Sequence, residues 1–251
     1  MSSRRHSPVI PPHISHDACT PSLRRQLIRE NPLFRELPEG EIDKVNEQFV
    51  DQGFEAGETI LREGEAAQRL YLVALGIVKL FRSTETGDFS LIDVLSSGDY
   101  FGSLAGYGPK EYGETAVARS TVCALSVDSE TFRRIIEEHP SVGLRTIDAL
   151  SNRLSLAHEM VTQLRGYEAE ARIAYVLLRL ATKLGQQWEG NTLIRSPLSR
   201  EEIASMAGTT TETCSRVLTS LRRKGVIDAG RGWVAISEWR TLKEIAPSNL
   251  T

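Results

Sequence analysis

Cysteine is scarce. The 251 residues hold three, Cys19, Cys123 and Cys214, widely separated and forming no CxxC pair. Such spacing offers neither a zinc-ligand set nor a disulfide framework, and it fits a reducing compartment. Histidine is equally thin, with five in the chain and none between Phe49 and Val127. A small β-barrel enzyme with a catalytic metal needs two or three clustered histidines on strands, so that class is set aside and no metal site is expected. No apolar run reaches membrane-spanning length, and the N-terminal MSSRRHSPVIPPHISHDACTPS lacks the apolar stretch of a secretory signal. A cytoplasmic protein with no membrane partner is expected. The sequence also lacks HExxH, GxxxxGK, GxSxG and the dinucleotide fingerprint, so neither enzyme activity nor catalytic residues are expected. Positive charge is not in excess either: the formal net charge is -3, so any surface for nucleic acid must be local.

What is present is ordinary for a well-cored chain, 40% hydrophobic and 25% charged. Residues 1–21 are rich in Pro, Ser and His without hydrophobic period and read as a flexible tail. Helical spacing begins at Ser22, with Leu23, Leu27, Leu33, Leu37 and Ile42 around the break NPLF at 31–34. From Phe49 to Val127 the pattern changes to short β-rich runs, LYLVALGIVKLF (70–81), FSLIDVL (89–95) and TAVARSTVCALSV (115–127), punctuated by glycines. Turn signals at that interval predict a β-sandwich or jelly roll. Asp128 then opens a helix that Pro140 ends or bends.

Beyond Pro140, Ile147, Leu150, Leu154, Ala157, Val161 and Leu164 recur at alternating spacings of three and four, the a and d positions of a heptad. So narrow a stripe is what a two-helix dimer seam needs; the alternative is a helix packed on its own β-domain. Gly166 marks a joint, and EAEARIAYVLLRLATKLG (168–185) opens a smaller domain. The expected organisation is an α+β chain: tail 1–21, β-roll with flanking helices 22–139, dimerisation helix 140–166, and a second domain 167–251.

In that domain PLSREEIASMAG places Glu202 three residues after Ser199, a capping box on a helix that Gly208 terminates. Thr209 and Glu212 repeat the spacing almost at once, which predicts helix-turn-helix geometry. On the second helix Cys214, Val217, Leu218 and Leu221 form the apolar face, leaving Glu212, Ser215, Arg216 and Thr219 outward. An outward Arg can chelate guanine O6 and N7, a Glu can accept from cytosine N4, and a Ser can adapt to either. Glu212, Ser215 and Arg216 are therefore the candidate base readers, although Glu212 has the competing role of a helix cap. Thr211, Thr219, Arg222, Arg223 and Lys224 are candidates for DNA backbone, with pairing to the helix dipole as the alternative for the basic three. VIDAGRGWVAI (226–236) reads as a hairpin, the wing of a winged helix, with Arg231 at its tip as a further backbone contact.

From about residue 30 onward the chain resembles the cyclic-AMP receptor and fumarate-nitrate reduction regulator superfamily of bacterial transcription factors. The resemblance rests on NPLFREL, FEAGETILREGEAAQRLYLVALGIVKLF, SSGDYFGSL, the long helix and PLSREEIASMAGTTTETCSRVLTSLRRKGVI. It implies a cyclic-nucleotide-binding-like β-roll sensor, a homodimer, and a reader that binds a palindromic operator in double-stranded DNA and contacts RNA polymerase. The E-x-x-S-R arrangement of Glu212, Ser215 and Arg216 is similar to the fumarate-nitrate branch, which implies half-sites of the type TTGAT-N4-ATCAA. A two-fold dimer sets its recognition helices about 34 Å apart, matching the seam on the long helix.

The same resemblance places the effector pocket at Gly102, Ser103, Leu104, Gly113, Glu114 and Thr115. Members that bind cyclic AMP carry FGEL followed by R-S/T-A. Here Ser103 stands at the expected Glu, and Gly113 or Glu114 where the phosphate-binding Arg belongs. Neither supplies a bidentate cation, so cyclic AMP is disfavoured. Lys110 nearby keeps a cyclic-nucleotide-responsive regulator as the alternative, and a protein-binding winged helix is another. A 4Fe-4S cluster is not expected, because Cys19 is the one thiol near the N-terminus, with His13 and His16 as the neighbouring metal candidates. Haem is open as a cofactor, with His139, expected to face solvent, and His158, packed or at the surface, as the ordered candidates. Cys123 and Cys214 read as small core residues.

Overall fold

The computed structural model describes residues 19–85, 87–104, 106, 108–194 and 198–247. Residues 1–18, most of the expected tail and including His13 and His16, lie outside the described residues. Two compact units emerge: one extends to Ala157, the other takes up at His158 and includes Ser90–Ile92.

The first unit begins with α1 (Pro21–Glu30), whose N-cap Thr20 accepts from the Leu23 amide and whose first turn carries a proline. α2 (Glu39–Glu47) lies beside it. Arg24 ties the pair to the sheet: its guanidinium donates to Asn46 Oδ1 and to the carbonyls of Asn46 and Phe49, and it pairs with Asp51. Eight strands follow, β1 (Val50–Phe54), β2 (Thr59–Leu61), β3 (Arg69–Leu75), β4 (Val78–Ser83), β5 (Phe89–Leu95), β6 (Tyr100–Gly102), β7 (Thr115–Ala118) and β8 (Val122–Asp128). They form two four-stranded sheets, ordered β1-β8-β3-β6 and β2-β7-β4-β5, which is the expected β-roll.

Two runs that the sequence reads as single segments are each divided between these sheets. The 70–81 run breaks into β3 and β4 at Gly76, whose φ of +94° is left-handed and where a Cβ would collide with the carbonyl of Thr121. The 115–127 run likewise divides into β7 and β8, and the Ser120 hydroxyl accepts from the Ile77 amide at 3.0 Å beside that corner.

Asp128 caps α3 (Ser129–Glu138) by accepting from Thr131, as its position predicts, and Pro140 begins α4 (Pro140–Gly166). One core joins the faces of α1 and α2 (Leu27, Ile28, Val45) to β3 and β8 (Leu72, Leu125), α3 (Phe132, Ile135) and the foot of α4 (Val142). Into it project two residues that the sequence treats separately. Cys19, just ahead of the α1 cap, is disulfide-bonded to Cys123 on β8, with Cα atoms 5.9 Å apart. That corrects the expectation that the cysteines form no disulfide: a span of 104 residues concealed the pairing because the topology brings the start of α1 onto β8.

The second unit holds the end of α4 and then α5 (Ala169–Leu184), β9 (Gly185–Trp188), β10 (Asn191–Ile194), α6 (Arg200–Met206), α7 (Thr211–Arg223), β11 (Ile227–Gly230), β12 (Trp233–Ile236) and α8 (Trp239–Ile245). The predicted wing hairpin is present with Gly230 opposite Trp233, and β9 and β10 extend it to a four-stranded sheet ordered β11-β12-β10-β9. Trp188 meets Trp233 edge to face at 5.5 Å across that sheet.

Candidate nucleic-acid interface and sensor site

The turn between α6 and α7 determines which side chains α7 presents. Ser199 and Glu202 form both hydrogen bonds of the predicted capping box, 3.0 Å from the Glu202 amide to Ser199 Oγ and 2.8 Å from the Ser199 amide to the Glu202 carboxylate. The second predicted cap is displaced by one residue. The Thr209 amide donates to the Ala204 carbonyl at 3.0 Å and so still belongs to the end of α6, whereas Thr210 Oγ1 accepts from the Thr213 amide at 3.2 Å. Thr210 is thus the N-cap of α7, and the expected box of Thr209 with Glu212 does not form. Glu212 is left exposed in the first turn, beside exposed Thr211.

The rest of α7 follows its period. Cys214, Leu218 and Leu221 are buried, Val217 and Ser215 are half-buried, and Arg216 and Thr219 are exposed. Glu212, Ser215 and Arg216 therefore share the outer face, as the sequence predicts. Burial pushes the Cys214 thiol up to about 11, the mark of an unreactive core sulfur. The Ser215 carbonyl is held twice, by Arg200 Nη1 at 3.2 Å and by the Thr219 hydroxyl at 2.7 Å. Sequence reading missed Arg200, which braces α7 from α6.

The basic end of α7 is divided in its loyalties. Lys224 Nζ pairs with Glu170 of α5 at 3.1 Å, and Arg222 Nε lies 3.8 Å from Asp228 of β11, while Arg223 is exposed. Arg231 stands exposed on the tight turn of the wing.

Arg172 of α5 ties the α6–α7 turn to the end of α4. It donates to the carbonyls of Ala207 and Gly208 in the helix-turn-helix turn, at 2.9 and 3.1 Å, and to that of Tyr167 just past α4, at 2.8 Å. Gly208 has a φ of +57°, and a Cβ there would collide with Leu164 of α4. Leu164, which the sequence assigns to the dimer seam, touches this turn yet remains 52% exposed. Ile147, Leu150, Leu154, Ala157 and Val161 are exposed as well, an apolar stripe along α4.

On the β-roll the expected pocket residues stand in different settings. Gly102 ends β6 opposite Leu70, Leu104 is buried in the helix-side core, Ser103 is half-buried and Gly113 is exposed. Thr115 opens β7 and its hydroxyl accepts from the Glu63 amide at 3.1 Å. Glu114 meets Arg153 of α4, Oε1 to Nη2 at 3.8 Å, and Arg153 also lies over the Tyr100 ring, 5.7 Å from its centre. Burial lifts the Glu114 carboxyl above the usual range, opposed by Arg153, reinforced by Asp93 and opposed by Arg82. Arg153 and Tyr100 carried no sequence signal, since only the roll brings α4 to β6 and β7. The expectation for His139 is also corrected: it is mostly buried, with Nε2 3.9 Å from Glu41, because it caps α3 against α2. His158 is exposed on α4. Among the described residues no cluster of three or more His, Cys, Asp or Glu could hold a metal, and no helix is long and apolar enough to cross a membrane.

This geometry has relatives. A family described as "Cyclic nucleotide-binding domain" matches residues 52–139, and one described as "Crp-like helix-turn-helix domain" matches residues 171–245. The chain is 33% identical over 220 residues to the cyclic AMP receptor protein of Thermus thermophilus, covering 87% of this chain and 98% of that protein. It is 27% identical over 211 residues to a CRP-like cAMP-activated global transcriptional regulator of Mycobacterium tuberculosis, covering 84% and 91%. Among solved structures it is similar to a CRP/FNR-family transcriptional regulator from Thermus thermophilus, with TM-score 0.64, 26% identity and coverage of 78% and 97%.

Proposed function

The chain belongs to the CRP/FNR family of DNA-binding transcription regulators, which are not enzymes, and on that premise we propose that it is a cytoplasmic homodimer reading a TTGA-type inverted repeat. The observation that carries the reading is the common outer face of Glu212, Ser215 and Arg216 on α7, with Glu212 released from capping. Arg216 chelates a guanine, Glu212 accepts from a cytosine and Ser215 adjusts between them. Thr211, Arg223 and Arg231 sit on phosphates; Arg222 and Lys224 join them by exchanging their internal carboxylate partners for DNA. Residues 167–251 form the reader, 22–139 the sensor and 140–166 the dimer helix, whose exposed stripe Ile147, Leu150, Leu154, Ala157 and Val161 meets its copy. Bound at the operator, the dimer works through RNA polymerase.

The sensor responds to a ligand other than cyclic AMP. Glu114 presents a carboxylate where a cyclic phosphate needs a cation, and Arg153, the nearby cation, is already engaged by it. A signal at the roll shifts α4 and with it the spacing of the two recognition helices, biasing a two-state equilibrium. The names of the relatives favour a second reading, in which Arg153 leaves Glu114 to bind the cyclic phosphate.

Fluorescence anisotropy of the purified protein on a TTGAT-N4-ATCAA duplex, a TGTGA palindrome and a scrambled control, with and without cyclic AMP and at several salt concentrations, tests both readings. Selective binding of the TTGA duplex, unchanged by cyclic AMP, is the expected outcome. Selectivity for TGTGA would overturn the half-site, and a gain in binding on adding cyclic AMP would replace the ligand reading with the second.

A further inference from the structure

Oxidation of the sensor is an input that a ligand pocket does not require. We propose that Cys19 and Cys123 form a reversible dithiol–disulfide pair, a redox-modifiable site that sets the packing beneath the foot of the dimer helix.

Three observations carry this. First, the two Cα atoms lie 5.9 Å apart, within the range that a disulfide spans without moving backbone, so both the open and closed states fit one fold. Second, the two residues are unequally covered: Cys123 is 4% exposed within the core, whereas Cys19 is half-buried at its margin. Exchange with an external thiol therefore has one accessible address, Cys19. Third, the bond is not what holds α1 in place. The Thr20 cap, the Arg24 bonds to Asn46 and Phe49, and buried Leu27 and Ile28 already secure that helix, so opening the bond leaves the fold standing. The bond's effect is instead on restraint, and it acts in a shared core: Cys123, Phe132, Ile135 and Val142 belong to one cluster, with Cys19 and Ala149 packed against it. Val142 and Ala149 are residues of α4.

The chemistry balances with a low-molecular-weight disulfide as oxidant. Cys19, having lost its proton to solvent, attacks one sulfur of the external disulfide and expels a thiolate that takes up a proton. The Cys123 thiol then attacks Cys19 Sγ of the mixed disulfide and expels the second thiolate, which accepts the Cys123 proton. Two protein thiols and one external disulfide give one protein disulfide and two external thiols, with two electrons passing to the oxidant. Cys214, sealed in α7, takes no part and serves as an internal control.

The experiment equilibrates the full chain in glutathione buffers from fully reduced to fully oxidised, traps free thiols by alkylation and maps them by mass spectrometry. Amide hydrogen exchange is followed on the same samples over residues 21–30 and 140–149. The expected result is a Cys19–Cys123 bond that opens and closes with the buffer in the folded protein, with exchange slowed about threefold or more in both segments of the oxidised form. Cys19→Ser should abolish the response to glutathione while keeping the exchange pattern of the reduced wild type. The proposal is overturned if the bond fails to form at any ratio, if it opens only on unfolding, or if the change over 140–149 stays below about threefold.

Discussion

Glu114 and Arg153 oppose each other at 3.8 Å, joining the approach to β7 to the middle of α4. An acid on the roll and a base on the long helix thus neutralise each other at the place the resemblance assigns to the effector. Burial raises the Glu114 carboxyl above its ordinary 4.5, so the native state holds that proton to a higher pH than the unfolded chain does. With more protons bound in the native state, stability falls as pH rises from about 4.5 through the raised native value, and is regained on acidification. Thermal melts of Glu114→Gln should show a flatter dependence of Tm on pH across that window than the wild type; an identical slope would remove Glu114 as its source.

The outer face of α7 makes separable predictions for specificity and for affinity. Arg216→Ala should lose preference for the TTGA duplex by about 1–3 kcal/mol, with little change on scrambled DNA. Arg223→Ala should weaken binding to all sequences alike and lower the salt slope by about one unit. Anisotropy titrations across salt concentrations distinguish the two patterns, and a uniform loss in Arg216→Ala would refute base reading there.

The α4 stripe predicts assembly. Leu150 and Leu154 are 56% and 57% exposed, and lysine at both positions puts two like charges into each half of the seam. Sedimentation velocity should show dimer for the wild type and monomer for Leu150→Lys/Leu154→Lys, with secondary structure retained. A monomeric wild type would refute the seam.

Beneath the reader, Gly208 and Leu164 are in direct steric contact. Gly208→Ala combines a left-handed backbone with a collision and should cost about 1–3 kcal/mol. Leu164→Ala removes the obstructing side chain, so the double variant should be more stable than the sum of the two losses implies, with a coupling of about 0.5 kcal/mol or more in thermal or urea melts. Strict additivity would place the strain in the backbone alone.

Local signals identified much of this molecule and long-range ones escaped. The β-rich runs, the Asp128 cap, the Ser199–Glu202 box, the heptad and the wing all depend on neighbours a few residues apart, where spacing alone reports geometry. The same local rules cannot say which sheet a strand joins, and so Gly76 looked like one punctuation mark among many rather than the corner between two sheets. The strands β9 and β10 were hidden because GQQW and NTLI are too short and polar to stand out. Arg153, Tyr100 and the Cys19–Cys123 bond depend on segments that meet only when the roll closes. The Thr209–Glu212 spacing satisfied the rule for a capping box, but the amide of Thr209 was already committed to Ala204.

That one-residue displacement of the cap has an evolutionary reading. Thr210 caps α7, so the side chain at 212 is not needed as a cap and keeps only the favourable place of an acid in the first turn. If Glu212 reads a base as proposed, a descendant of this gene can exchange it and change its operator at the small cost of losing one acid from the first turn. On that reading recognition and capping fall to different residues, 212 and 210, and the one can change while the other is kept.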